Sequence, residues 1–148
     1  MRRQIMPHLV HNQALYFLQP EDSVAEAVAL MSEQHIGAVM VVRGGQLIGI
    51  FTERDVVTRV VNARRDPDAT LLSEVMTEGP QTIAPGETAG GALELMARLG
   101  CRHLPVVDGE EIVGMVSIRD LFGSVREQLE QDLKQRDALL FDTTYGVG

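Results

Sequence analysis

A chain of 148 residues, 45% hydrophobic and 23% charged, has the makeup of one folded unit that can bury a core, not of a disordered segment. Its formal charge of -8, from 13 basic and 21 acidic residues, with no Trp and no basic stripe, argues against nucleic acid as a partner. One cysteine, Cys101, rules out an internal disulfide; no stretch approaches the roughly 18 apolar residues of a membrane span, and no secretory apolar core follows the N-terminus, so a cytoplasmic protein without membrane contact is expected.

Residues 1–9 read as a short N-terminal arm. His8 and His11 are spaced to share a helix face, but two ligands do not complete a metal site, and no metal is expected. From Val10 onward each residue has a counterpart 65 positions later, without a gap through Val60 and Val125. Between residues 20–55 and 85–120, ten of 36 paired positions are identical, including Pro20/Pro85, Met31/Met96, Gly49/Gly114 and Asp55/Asp120. A register held over that length marks an internal duplication. The chain then divides into the arm, a first repeat 10–61, a linker 62–74, a second repeat 75–126, and a C-terminal helix extension and tail 127–148. Each repeat alone would bury only about 60% of its unfolded surface, so the two are expected to pack together.

Each repeat opens with a short extended piece, Tyr16-Phe17-Leu18 or Thr82-Ile83, stopped by Pro20 or Pro85. A helix follows in each. Ser23 with Glu26 forms a capping-box pattern, and Val24, Ala27, Val28 and Met31 share one helix face, as do Ala89, Ala92, Leu93 and Met96. Gly90 and Gly91 cost the second helix about 1 kcal/mol each relative to Ala. The runs Ala38 to Val42 and His103 to Val107 read as strands, turned by Gly44-Gly45 and Gly109 into return strands ending near Phe51 and Val116. Pro105 suggests an edge position or a strand start. Val56, Val57, Val60 and Val61 predict a buried helix face in the first repeat. The helix after Asp120 runs longer, with Phe122, Val125, Leu129 and Leu133 forming an apolar stripe among charges. Such an overhanging helix packs on its own domain or on a partner. The tail 143–148 has no periodicity.

The stretch Gly49-Ile50-Phe51-Thr52-Glu53-Arg54-Asp55 returns as Gly114-Met115-Val116-Ser117-Ile118-Arg119-Asp120, in each case where strand meets helix. Thr52 or Ser117 at the N-cap and the aspartate three residues on gather beside free backbone N–H groups, which attract anions. A carboxylate can accept two hydrogen bonds from a vicinal diol, so the pair suits a nucleoside with phosphate. The same Thr-x-x-Asp spacing is also an ordinary capping arrangement. Arg54 and Arg119 stand at the unfavourable end of the helix dipole; a bound phosphate would offset this, and so would a carboxylate such as Glu53 or one across an interface.

The twofold strand-helix-strand-strand-helix repeat with Gly-h-h-Thr/Ser-x-x-Asp in both copies resembles the CBS domain family, named for cystathionine beta-synthase. Val75-Met76-Thr77 and Leu104-Pro105-Val106-Val107-Asp108 are similar to further hallmarks of that family. The resemblance implies an α+β fold in which two tandem CBS repeats pack as a pseudo-twofold pair with two clefts between them. Clefts of that family commonly bind AMP, ADP, ATP or S-adenosylmethionine. Carried over, Asp55 and Asp120 would hold ribose hydroxyls, Thr52 and Ser117 would meet ribose or phosphate, and Arg54 and Arg119 would meet phosphate. Gln19 and Ala84, with Ile36, Gly37, Ala38 and Cys101, Arg102, His103, would flank the base. Because the second repeat has Cys101, Arg102 and His103 where the first has Ile36, Gly37 and Ala38, the second cleft is expected to be the more positive. Arg102 and His103 otherwise face solvent or pair with Asp108.

No phosphate-binding glycine loop followed by lysine is present, Gly44-Gly45 leads into a strand, and Cys101 has no activating pair. Catalysis is not expected and no cofactor is required. The expected function is that of a stand-alone regulatory module sensing adenine nucleotides, a homodimer acting on an unidentified partner protein. The alternative is a ligand-free oligomerisation or docking module.

Overall fold

The computed structural model of the chain describes residues 3–10 and 13–145. His11 lies outside them, as do residues 146–148 of the tail, so neither the His8-x-x-His11 spacing nor the last residues are taken further. In the first half, strand β1 (Phe17–Leu18) is followed by helix α1 (Val24–Gln34), hairpin strands β2 (Ala38–Arg43) and β3 (Gln46–Thr52), and the short helix α2 (Glu53–Asp55). Helix α2 continues as a wider winding over Val56–Val61, whose carbonyls accept from residues five positions on, as Val57 does from Asn62 at 2.9 Å. After helix α3 (Leu72–Val75) and strand β4 (Thr77–Glu78), the second half has helix α4 (Ala89–Leu99), strands β5 (His103–Asp108) and β6 (Glu111–Ser117), and the 28-residue helix α5 (Ile118–Tyr145).

The duplication holds at the level of strand register. Strand β2 pairs antiparallel with β3 from Ala38 opposite Thr52 to Arg43 opposite Gln46, with an irregularity between Val41 and Val42. Strand β5 pairs with β6 from His103 opposite Ser117 to Asp108 opposite Glu111, with the irregularity between Val106 and Val107. Every one of these positions is shifted by 65. The parallel pairing of Leu18 with Val41 in β1 and β2 is matched by a single parallel bridge from Ile83 to Val106. Pro105 is tolerated inside β5 because its neighbour uses only its carbonyl, which accepts from the Ile83 N–H at 3.0 Å.

The segment that leads into each repeat packs on the other half. The N–H groups of Ile5 and Met6 donate to the carbonyls of Glu87 and Pro85, and that of Ala89 donates to Arg3. The N–H groups of Leu72 and Ser73 donate in the same way to Asp22 and Pro20, and that of Val24 to Thr70. Ile5 and Val10 are accordingly buried in the core of the second half with Ile83, Met96, Leu104, Val116 and Leu121. Leu72, Val75 and Met76 are buried in the first with Met31, Val39, Phe51 and Val60. This exchange gives each marginal half the apolar surface it lacks. It also explains two glycines. A side chain at Gly49 would run into Met76, and one at Gly114 would run into Val10.

Helices α1 and α4 start and stop by local chemistry. The hydroxyls of Ser23 and Thr88 accept from the N–H groups of Glu26 and Gly91 at 3.1 Å, and both helices end in a left-handed residue, Gly100 (φ 69°) in the second and His35 (φ 54°) in the first. Glycine takes that conformation freely and histidine does not. The substitution His35→Gly is therefore expected to raise stability by about 0.5–1 kcal/mol, read from chemical denaturation midpoints.

The helix face expected after Asp55 is only half buried. Val60 is enclosed and Val56 partly so, while Val57 and Val61 are exposed. Val28 is likewise exposed, although Val24, Ala27 and Met31 are buried. Among the described residues no helix is long and apolar enough to cross a membrane, and no cluster of three or more His, Cys, Asp or Glu is placed to hold a metal ion.

Candidate functional site

A cleft of about 570 Å³ lies between the halves, where α2 of the first meets the start of β5 in the second. Thr52, Glu53, Arg54, Asp55 and Arg59 line it together with Gly37 and Ile50, as do Thr77 and residues 79–81 and residues 99–104. A volume of this size suits a ligand as large as a nucleotide. Three arginines, at 54, 59 and 102, line it against two carboxylates, Glu53 and Asp55, in a chain whose total charge is -8. The lining thus carries more basic than acidic groups within an acidic chain, which favours an anion there.

Asp55 is only 7% exposed, and its environment is specific. Its Oδ2 accepts from the Thr52 N–H at 3.0 Å and from the Thr52 hydroxyl at 3.1 Å, while the Asp55 N–H donates to Thr52 Oγ1 at 3.2 Å. Its Oδ1 lies 3.5 Å from Arg59 Nε. The reciprocal cap is thus fully formed through Oδ2, and Oδ1 is left outside the cap, facing Arg59. The anion-binding role expected of the helix N–H groups is reduced in the same way, because the Glu53 N–H already donates to Gly37 O at 3.0 Å. Recognition of a phosphate in this cleft falls to the guanidinium groups. Arg59 is held by Val75 O and Met76 O at 3.1 and 2.9 Å, and Arg54 reaches across to Gly100 O at 3.4 Å.

The His103 ring packs on Gly37, where an added Cβ would stand 3.1 Å from two ring atoms. Burial lowers its pKa from the ordinary value, opposed by the charges of Glu53 and Asp120 and assisted by Arg102. Above about pH 6.5 the ring is neutral in both the folded and the unfolded chain. As pH falls below that value the unfolded chain takes up a proton that the folded chain resists, so stability falls with it. Denaturant midpoints measured from pH 7.5 down to 5 should show this decline, and His103→Gln should flatten it.

Of the residues picked out in the sequence, the cleft brings together Thr52, Arg54, Asp55, Gly37, Cys101, Arg102 and His103. The charged stretch of the second repeat thus faces the aspartate of the first. Ser117 and Asp120 form the equivalent cap elsewhere, with Ser117 N–H to Asp120 Oδ2 at 3.0 Å and Asp120 N–H to Ser117 Oγ at 3.2 Å. Arg119 stands exposed beside them, Gln19 donates to Asp22 Oδ2 at 2.7 Å, Ile36 closes the end of α1, Ala38 is buried opposite Thr52, and Ala84 is exposed. None of these lines the cleft of Asp55. Sequence reasoning passed over Glu53, Arg59 and residues 77–81. The i,i+4 spacing of Asp55 and Arg59 was the available signal for one of them.

The two aspartates are not equivalent. Asp120 is exposed where Asp55 is buried. The counterpart of Arg59 is Ser124, buried with its hydroxyl unpartnered among the described residues. Gln81 and Leu99, which line the Asp55 cleft, correspond to Tyr16 and Gln34, and the Tyr16 hydroxyl donates to Gln34 Oε1 at 2.9 Å. Strand β4 has its counterpart in a side chain, Gln13, bonded to both the N–H and the carbonyl of Met115 at 2.8 and 2.9 Å.

Duplicated strand register, exchanged lead segments and a cleft at the strand-to-helix junction define a tandem pair of repeats that share one body. The chain belongs to the CBS domain family, whose model matches residues 5–62 and 72–127. It is 32% identical over 125 residues to the mitochondrial CBS domain-containing protein CBSX3 of Arabidopsis thaliana, covering 81% of this chain and 61% of that one, so it spans somewhat less than two thirds of that relative. A solved putative signal-transduction protein with CBS domains from Burkholderia ambifaria superposes with a TM-score of 0.75 at 38% identity, over 78% of this chain and 85% of the other. A CBS domain protein of Pyrobaculum aerophilum, solved in complex with AMP, superposes with a TM-score of 0.68 at 25% identity, over 76% and 86% of the two chains.

Proposed function

We propose that this chain is a regulatory CBS pair that binds an adenosine-containing ligand, AMP, ADP, ATP or S-adenosylmethionine, in the cleft of Asp55, and signals by a change of shape or of partner contacts. The observation that carries the reading is the buried Asp55, with one carboxylate oxygen uncommitted to the cap, facing a nucleotide-sized cleft lined by Arg54, Arg59 and Arg102. The Oδ1 oxygen, which faces Arg59 and takes no part in the cap, suits a ribose hydroxyl, and the guanidinium groups suit phosphate. The AMP complex of the Pyrobaculum relative supports the same ligand class. The proposed role is binding without turnover, in a cytoplasmic homodimer.

Isothermal titration with each of the four ligands tests this directly, and a bound ligand must also raise the melting temperature. Replacing Asp55 and Asp120 together should abolish that rise, and an undiminished rise in the double variant would remove the ribose assignment. The completeness of the cap favours a second reading, a ligand-free docking module. No heat and no thermal shift with any of the four ligands would establish it over the first.

A further inference from the structure

Among the described residues lining the Asp55 cleft, His103 is the one histidine, the side-chain type whose charge changes between about pH 5 and 8. It begins β5 opposite Ser117 in the second half, and its ring reaches the first. The Glu53 N–H donates to Gly37 O at 3.0 Å and the Ile118 N–H to Arg102 O at 2.8 Å, so Gly37 and Arg102 hold the same place in the two halves. The ring can lie over residue 37 because that residue is a glycine. A Cβ there would stand 3.1 Å from both Cε1 and Nε2 of His103 and 3.7 Å from the Glu53 carboxyl carbon. Ring and carboxylate are thus near neighbours across the contact between the halves. Glu53 of α2, Asp120 of α5 and the adjacent Arg102 are the charges that act on the ring. Arg54, Asp55 and Arg59 line the same cleft, and its lining residues Thr77 and 79–81 add no charge. Burial opposes a charged ring here, while two carboxylates already favour it.

We propose that ligand binding in this cleft is proton-linked through His103: a phosphate held by the arginines stabilises the protonated ring, and affinity rises as pH falls below about 7. The inference rests on the nucleotide reading above. A guanidinium keeps its charge throughout this range, whereas an imidazole gains one and then donates from both nitrogens. The chain accordingly takes up a proton together with its ligand. Affinity and stability then respond to acid in opposite directions. The empty chain loses stability because the unfolded chain binds the proton more readily, while the phosphate-loaded chain binds it more readily than the empty one. Because the same ring packs on Gly37, the proton that arrives with the ligand is placed at the joint between the halves.

Titration of AMP into the full chain at pH 7.5 and 5.5, and into His103→Gln at the same two values, tests the proposal. The phosphate of AMP itself titrates near about pH 6 and does so alike for both proteins, so the quantity compared is each protein's own ratio of affinities. That ratio should favour the acid value about threefold to tenfold more in the natural chain than in the variant. Heats measured in two buffers of different ionisation enthalpy should show proton uptake by the natural chain beyond that of the variant. A further measurement needs no variant: the His103 Cε1 proton, assigned by its nuclear Overhauser contact with Gly37, should titrate at higher pH with AMP bound than without. Equal ratios in the two proteins, or a ring that titrates no higher when AMP is bound, overturn the proposal and leave nucleotide binding standing. AMP that binds at neither pH overturns the nucleotide reading and the proposal together.

Discussion

Asp55→Asn is expected to weaken adenine-nucleotide binding by about tenfold to a hundredfold, the loss of a hydrogen bond to a charged acceptor of about 1.5–3 kcal/mol, while Asp120→Asn leaves affinity within about threefold. Asp55 is buried, with its second oxygen toward Arg59 and the cleft. Asp120 is exposed, Ser124 stands where its arginine would be, and Tyr16 bonds Gln34 across the place that Gln81 and Leu99 leave open in the other cleft. Titration should accordingly give close to one nucleotide per chain. Two per chain, or equal losses from the two single variants, would rule out the preference for the Asp55 cleft while leaving nucleotide binding itself intact. Asparagine retains a carbonyl acceptor for the cap, so the stability cost of Asp55→Asn should stay near 1 kcal/mol, and circular dichroism would confirm that the variant is folded.

Ile5→Ala is expected to cost about 2–5 kcal/mol, as for a fully buried large-to-small core substitution, and to act on the half of the molecule farther away in sequence. Ile5 is fully enclosed, packed with Ile83, Ala92, Met96, Leu104 and Leu121. Amide hydrogen exchange should therefore accelerate across β5, β6 and α4. Leu72→Ala, in the mirror position, should loosen β2, β3 and α1, because Leu72 packs with Val24, Val39 and Phe51. If Ile5→Ala left the second half as protected as before and loosened only the first, the exchange of lead segments would not describe the molecule in solution. If the halves unfold as one cooperative unit, both losses should appear in a single transition and roughly add. Two separate transitions, each shifted by only one of the variants, would show that the halves unfold independently.

Most of the fold was legible because it rests on local chemistry. The cap at Ser23, the hairpins at Gly44-Gly45 and Gly109, and the apolar spacing of Val24, Ala27 and Met31 each encode their own element. The lead segments were not legible. Arg3 to Met6 and residues 70–73 make matching bonds two residues out of the 65-residue register, so no alignment of one repeat with the other displays them. The valines after Asp55 misled in another way. Val57 and Val61 lie to one side of the line through Val56 and Val60, and only the latter two turn toward the core.

The candidate site divides in the same way. Taken by itself, the sequence determined the duplication, the Thr-x-x-Asp and Ser-x-x-Asp junctions and the overhanging final helix, since each depends on residues within one short stretch or on one constant offset. Which residues share a cleft was decided by tertiary structure, because the halves assemble with Asp55 of one facing Arg102 and His103 of the other. The same is true of the difference between the two aspartates. Their sequence contexts are nearly alike, and only packing sets one beside Arg59 at 7% exposure and leaves the other open to solvent. Burial strengthens the electrostatic worth of a carboxylate, and burial is a property of the assembled pair.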